Sequence, residues 1–128
     1  MGRFLLDTHA LLWAIQEDPK LSEQARAILL DGSNQLYFST ASLWEITMKL
    51  NIGKLKLDES IDSLYGLLEQ FGIAILPISQ QALEAYLKLP LHHRDPFDRM
   101  LIAQAIAYEL TLVSADAAMA AYPVQQVW

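Results

Sequence analysis

The sequence predicts a single α/β domain in which helices flank a central parallel sheet of about four to five strands. Short apolar runs alternate with longer stretches of helical periodicity, and no repeat or low-complexity segment interrupts them. The chain has 128 residues, of which 53% are hydrophobic, so one domain over residues 1–128 can bury a sufficient core. It contains no cysteine, so its core must form without disulfides.

Five short apolar runs are the predicted strands. Each is rich in large aliphatic or aromatic residues and is bounded by polar or turn-forming residues. The runs are Phe4 to Leu6, Leu36 to Phe38, Ile73 to Leu76, Thr111 to Val113 and Val124 to Val127. Because helical stretches separate most of these runs, we expect the strands to pair in parallel.

Six stretches with helical periodicity are the predicted helices. They are His9 to Ile15, Ser22 to Leu30, Ser42 to Leu50, Ser60 to Phe71, Gln80 to Leu87 and Phe97 to Glu109. Asp18-Pro19 separates the first two helices, and the segment from Asn51 to Leu57 separates the next pair. The polar segment from Pro90 to Pro96 precedes the last helix, which is almost wholly apolar and therefore must run through the core.

Four acidic residues fall near the starts of helices or turns that follow these strands. Asp7 comes directly after the first strand, and Asp116 follows the fourth. Glu45 lies in an apolar helix, and Asp98 lies at the third position of a helix that Asp95 caps. Because ligands collect at the carboxyl ends of parallel strands, we expect these carboxylates to converge at one edge of the sheet.

Each acid taken alone also has a structural explanation. Asp7 and Asp116 are suited to cap the segments that follow them, and Asp98 suits the positive end of a helix dipole. Glu45 matches a capping box with Ser42, although its apolar flanks predict a buried carboxylate that needs a partner such as a metal ion. Four independent caps have no reason to gather at one edge, so the joint pattern favours a shared metal site.

The charge of the chain bears on its ligands. A net charge of −6 counts mildly against nucleic acid, because affinity for phosphates usually comes from a basic surface. Divalent cations held by the four acids would cancel much of that charge and meet a phosphate themselves. An acidic chain also suits a basic protein partner. With no cysteine and no apolar run of about 18 residues, we expect a cytoplasmic protein that does not enter the membrane.

Four segments resemble motifs of the PIN-domain ribonucleases and, within that family, of the VapC-type toxins of type II toxin-antitoxin systems. The segments are distributed along nearly the whole chain. They are Leu5 to Trp13, Ser42 to Ile46, Asp95 to Ala105 and Leu112 to Asp116. The third segment, which contains Asp95-Pro96-Phe97-Asp98-Arg99, is the most specific. The one departure is the alanine-rich segment from Ala117 to Tyr122.

The resemblance implies a three-layer α/β/α PIN-like domain that hydrolyses RNA phosphodiester bonds as an endonuclease. One or two Mg²⁺ or Mn²⁺ ions would be the cofactor, since these ions prefer oxygen ligands. Asp7 and Asp98 would be the central ligands. Glu45 and Asp116 would complete the metal site and orient or deprotonate the attacking water.

Five further residues are predicted to support this site. Thr8 and Ser114 would hold the metal ligands or the phosphate in place. Asp95, Arg94 and Arg99 lie near the predicted crevice, and the two arginines carry the charge needed to contact RNA phosphates.

Two other polar groups are interpreted more simply. His92-His93 is interpreted as a solvated loop rather than a pair of ligands, although both residues lie near the predicted crevice. Lys49, Lys54 and Lys56 form the densest basic stretch, which we interpret first as solvated surface and only second as an RNA contact.

The resemblance also implies two protein partners, a small inhibitory antitoxin and a second copy in a homodimer. The alternative is a non-catalytic module for protein binding, either receiver-like or PIN-like. A receiver would have two acids after its first strand and a late Lys-Pro, whereas this chain has Asp7 alone and no Lys-Pro. A phosphatase of the haloacid dehalogenase type would have an acid where His9 stands. Because all four expected acids are present, the sequence favours the enzyme.

Overall fold

The computed structural model describes residues 1–128 and contains one five-stranded parallel sheet. Its strands are β1 (Arg3–Leu6), β2 (Gln35–Ser39), β3 (Ile73–Leu76), β4 (Thr111–Val113) and β5 (Gln126–Val127). The strand order is β3-β2-β1-β4-β5, and all four pairings are parallel. The order reverses between β1 and β4, and such a switch point opens a crevice at the carboxyl ends of the two strands.

Six α-helices and one short 3-10 helix connect the strands. They are α1 (Thr8–Ile15), α2 (Glu23–Leu30), α3 (Thr40–Asn51), α4 (Ile61–Gln70), α5 (Gln80–Leu87) and α6 (Pro96–Tyr108), with the 3-10 helix at Ala117–Ala121. All five strands and six helices predicted from the sequence are present. None of the helices is both long enough and apolar enough to cross a membrane.

The start of α3 differs from the prediction. We expected this helix to begin at Ser42, but it begins at Thr40 because the Ser39 side chain caps it, accepting a hydrogen bond of 3.0 Å from the backbone N–H of Ala41. The capping box between Ser42 and Glu45, which was the structural alternative for Glu45, is therefore absent, and the Glu45 carboxylate has other partners.

The core has two main parts, one on each face of the sheet, as the predicted three-layer arrangement requires. Consecutive side chains of a strand point to opposite faces, so Leu6 packs into the larger cluster with α1, α2 and α4. Leu5 packs into the second cluster against Leu101 and Ile102 of α6. Burying a side chain of this size contributes about 1.5–3 kcal/mol. The sheet edge above β1 and β4 is thereby held between two rigid layers.

Helix α6 runs through the core, as the sequence predicts. Seven consecutive residues, Arg99 to Ala105, are buried. Asp95 caps the helix and Pro96 occupies its first turn, so the N-terminus is fixed at the edge where β1 and β4 end. The first turn of α6 can therefore place an acidic side chain accurately.

Candidate active site

Asp7 lies directly beyond β1, at the switch point of the sheet. Its backbone N–H donates to the carbonyl of Val113 at 3.1 Å, which ties it to the end of β4. Its Oδ1 accepts a hydrogen bond of 2.7 Å from the N–H of Ala10 and so caps α1. Burial raises the pKa of Asp7, while the hydrogen bonds from Ser114 and Ala10 act in the opposite direction. Asp7 is thus both a cap and a buried carboxylate in the crevice.

Glu45 lies in the second turn of α3 and is 5% exposed. Its Oε1 accepts a hydrogen bond of 2.7 Å from the Thr8 hydroxyl, which also lies 2.9 Å from the Ser42 hydroxyl. Its Oε2 forms an ion pair of 2.9 Å with Nζ of Lys49, one turn further along the helix. The partner that burial requires is therefore supplied by the protein itself.

Asp98 lies in the first turn of α6, at the position predicted from the sequence. Burial and the neighbouring charge of Asp95 raise its pKa to about 7, while the charge of His93 acts against the rise. The charges of Glu45 and Asp116 raise the same pKa further. Acids from α3, from α6 and from beyond β4 therefore act on one another, as the sequence predicts for a shared site.

Asp116 follows β4 and caps the 3-10 helix through a hydrogen bond of 2.9 Å from the N–H of Ala118 to Oδ1. Its Oδ2 lies 3.0 Å from Nε2 of His93. Burial raises the pKa of Asp116, but the hydrogen bonds from His93 and Ala118 outweigh burial and lower it. The same Nε2 atom of His93 lies 3.2 Å from Oδ2 of Asp98, so one imidazole bridges two of the predicted acids.

The ring of His93 is held in one orientation. Its Nδ1 accepts a hydrogen bond of 3.2 Å from the backbone N–H of Asp95. Because Nδ1 is an acceptor, the neutral ring carries its hydrogen on Nε2, and that N–H points at Asp98 and Asp116. The structure thus contradicts the interpretation of His93 as a solvated loop residue. Its position two residues before the cap of α6 was the sequence signal for this placement.

Two hydroxyl groups connect the acids to one another. Ser114 is fully buried; its hydroxyl accepts from the N–H of Asp116 at 3.1 Å and lowers the pKa of the Asp7 carboxyl group. Thr8, which follows Asp7, donates to Glu45. Both hydroxyls therefore lie where the sequence prediction put them, beside carboxylates of the crevice.

Arg99 points away from solvent, which is incompatible with the RNA contact predicted for it. It is 7% exposed, and its NH1 donates to the carbonyls of Pro90 and His93 at 3.0 and 3.3 Å and to the Tyr122 hydroxyl at 3.2 Å. Arg99 thereby braces the loop that carries His93. Arg94, in contrast, is exposed and forms neither a salt bridge nor a side-chain hydrogen bond.

The side chains of the crevice fit a hard divalent cation. Carboxylate oxygens of Asp98 and Asp116 lie within 4.8 Å of one another, and both acids contact Nε2 of His93. Asp7 and Glu45 add buried carboxylates, and Asp98 is raised to a pKa of about 7 by burial and by like charges. Carboxylate oxygens are the preferred ligands of Mg²⁺ and Mn²⁺, and a cation would relieve this concentration of negative charge.

The fold and this acidic crevice agree with a match to a known family. Residues 4–124 match the family model described as the PIN domain. The chain belongs to the PIN domain family. PIN domains are generally nucleases, and the predicted family and three-layer fold are confirmed.

Solved structures give the same PIN fold at low sequence identity. The chain resembles VapBC2 from Rickettsia felis, solved with a DNA fragment from its promoter, at a TM-score of 0.73 and 20% identity, covering 98% of this chain and 97% of that one. VapBC-1 from nontypeable Haemophilus influenzae gives a TM-score of 0.70 at 18% identity, covering 98% and 96%. A toxin-antitoxin complex from Klebsiella pneumoniae gives 0.66 at 18%, covering 97% and 95%. No curated protein sequence matches the chain significantly.

Proposed function

We propose that this PIN domain is an endoribonuclease that hydrolyses RNA phosphodiester bonds with one or two Mg²⁺ or Mn²⁺ ions. The observation that supports this proposal most strongly is the convergence of four acids from separate parts of the chain at the switch point of the sheet. His93 contacts both Asp98 and Asp116, and Thr8, next to Asp7, contacts Glu45. The charges of Glu45 and Asp116 also raise the pKa of Asp98. An acidic crevice in a family of nucleases accounts for these contacts better than a set of unrelated helix caps.

In the proposed reaction the four acids hold the metal and the attacking water. Asp7 and Asp98 are the central ligands, and Glu45 and Asp116 complete the set. A bound ion would polarise the phosphate, lower the pKa of the attacking water and stabilise the leaving oxygen. Asp116 has a lowered pKa and is therefore ionised at neutral pH, which suits it to accept a hydrogen bond from the water and orient it. Ser114 lowers the pKa of Asp7 and so favours its ionised, metal-binding form.

We further propose that the enzyme is the cytoplasmic toxin of a type II toxin-antitoxin pair, inhibited by a small antitoxin. The similar structures named VapBC2 and VapBC-1, and the complex named as toxin-antitoxin, support this proposal. The net charge of −6 also suits a basic partner segment over the acidic mouth.

Exposed apolar side chains also support the proposal that the chain binds other proteins. They include Trp44 and Met48 on α3, with Ile52 at its C-cap, and Leu83 and Leu87 on α5. Contiguous exposed apolar surface is uncommon on a monomer. We therefore propose that one copy of the chain presents surfaces both to an antitoxin and to a second copy in a homodimer.

The test of the nuclease is cleavage of a mixed pool of end-labelled RNAs by the purified protein with Mg²⁺ or Mn²⁺. We expect fragments that disappear with EDTA and with Asp7→Asn but persist with Asp62→Asn, which removes an exposed acid of α4. If folded, partner-free protein cleaves no RNA in the pool, the non-catalytic binding module becomes the better explanation.

The test of the toxin assignment is recovery of the tagged protein from its native host. We expect one small protein to copurify and to suppress RNA cleavage when added back to the purified enzyme. If no small partner copurifies while cleavage persists, the toxin assignment is contradicted and the nuclease assignment is retained.

A further inference from the structure

A cleft of about 300 Å³ lies beside the acidic crevice, between α1, α3 and the loop after α3. Its polar and aromatic lining consists of Thr8, His9, Trp13, Gln16, Lys49 and Lys54. This volume is at the lower end of the range of about 300–1,000 Å³ that is usual for ligand pockets. The cleft is thus large enough for one small ligand unit and too small for a folded partner.

The cleft and the acidic crevice share walls. Thr8 and Lys49 both line the cleft, and both also contact the Glu45 carboxylate, at 2.7 and 2.9 Å respectively. The charge of His9 acts on both Asp7 and Asp116. The cleft is therefore directly adjacent to the acidic crevice.

The charged residues of the cleft lining are all basic. Lys49 and Lys54 line it together with His9, and it contains no Asp or Glu. Lys54 is exposed and forms no ion pair, and Nζ of Lys20 lies 5.7 Å from the Trp13 ring at the same part of the surface. In a chain with a net charge of −6, this local concentration of cations favours an anionic ligand.

The cleft also offers a flat aromatic surface. The exposed ring of His9 is backed by Trp13, with 5.4 Å between ring centroids, and Trp13 packs edge-on against Trp128 at 5.6 Å. A ring that is held from behind keeps its orientation and suits the stacking of an unpaired base. The Gln16 amide supplies a donor and an acceptor in the same lining.

We propose that this cleft binds the nucleotide of single-stranded RNA next to the phosphate that is cleaved. Lys49 and Lys54 contact the phosphate of that nucleotide, and its base stacks on His9. The combination of cations, an aromatic face and an amide beside a metal-binding crevice matches the chemistry of one nucleotide. This inference rests on the proposed ribonuclease function.

The test is binding of a fluorescent single-stranded RNA to Asp98→Asn, which serves as a parent that does not cleave the probe. Fluorescence anisotropy is measured at several salt concentrations. Adding Lys54→Gln should weaken binding about 3- to 10-fold and lower the slope of log K against log salt by about 0.7–1. Adding Lys88→Gln, which removes an exposed lysine at the end of α5 and outside the cleft lining, should leave both values unchanged.

A second variant separates stacking from charge. His9→Ala in the same parent should weaken binding about fivefold or more with little change in the salt slope, because a stacked base contributes about 1–3 kcal/mol. Melting curves of each variant confirm that the protein remains folded.

The outcomes distinguish this inference from the function on which it rests. If Lys54→Gln and Lys88→Gln give the same affinity and salt slope while the wild type cleaves RNA, the cleft assignment is overturned and the ribonuclease is retained. If the parent binds no RNA and the wild type cleaves none, the proposed function fails and the cleft assignment fails with it.

Discussion

The acidic crevice has an inner half and an outer half that are built differently. The inner acids, Asp7 and Glu45, are 6% and 5% exposed, whereas the side chains of the outer acids, Asp98 and Asp116, are 23% and 36% exposed. Each inner acid has its own partners, while the outer two share the N–H of His93. The inner acids are therefore held by separate partners, whereas His93 is the side chain that links the two outer acids.

Unfavourable burial and like-charge repulsion act more strongly on Asp98 than on Glu45. Asp98 has a pKa of about 7 because of burial and the charges of three neighbouring acids, and His93 compensates only part of this. Glu45, in contrast, has an ion pair with Lys49. A proton, a metal ion and the His93 N–H therefore compete for the carboxylate of Asp98 in the outer half. Four experiments test whether the inner and outer acids differ in this way.

The largest expected effect is on the pH dependence of stability in metal-free protein. The pKa of Asp98 in the folded protein is about 7, well above the ordinary aspartate value of 3.8. Its contribution to stability is therefore fully present below pH 3.8 and is lost as the pH rises through 7. We expect a loss of about 4 kcal/mol at most, measured by urea unfolding between pH 4 and pH 8. Asp98→Asn should remove it, and parallel pH curves for the two proteins would contradict this assignment.

The next effect is the stabilisation by Mn²⁺. At 100 times its Kd, a bound ion adds about 2.7 kcal/mol, which for a domain of this size raises Tm by about 10 °C. We expect this shift in the wild type and in the Asp62→Asn control, and a much smaller shift in Asp98→Asn. Differential scanning fluorimetry measures it, and equal shifts in all three proteins would count decisively against the outer metal ligand.

His93 provides a smaller and more specific test. Its Nε2–H faces carboxylate oxygens that the metal would use, so His93→Ala should bind Mn²⁺ about tenfold more tightly by calorimetry. The matched control is His92→Ala, which removes the exposed neighbouring histidine. Weaker binding by His93→Ala would instead identify the imidazole as a ligand of the metal.

The smallest effect concerns the inner half. Lys49 is 41% exposed, so its ion pair with Glu45 is partly screened, and Lys49→Gln should cost about 0.5–1 kcal/mol in metal-free protein. Saturating Mn²⁺ should abolish this difference, because the ion then compensates the charge of Glu45. Urea unfolding measures the free energy of unfolding without and with Mn²⁺, and Lys56→Gln serves as the control. A deficit that is unchanged by Mn²⁺ would show that Glu45 is not part of the metal site.

The secondary structure was predictable because its signals are local. Every predicted strand and helix is present within about two residues, since apolar periodicity and Ser or Asp caps act over a few neighbouring residues. The start of α3 was the exception among the helices. Ser39 and Ser42 are both acceptable caps by sequence, and Ser42 instead lies against Thr8, a residue of another helix.

The amino-acid sequence alone indicated four acids near the starts of helices or turns, and its motifs indicated the PIN domain family. The hydrogen-bond partners of these acids follow from the tertiary structure, because the contacts join residues far apart in the chain. Thr8 and Glu45 are 37 positions apart, and His93 and Asp116 are 23 apart. The tertiary structure also turned Arg99 inward and His93 into the crevice. The physical reason is that charge interactions depend on distance in space and on burial, and neither quantity follows from local sequence.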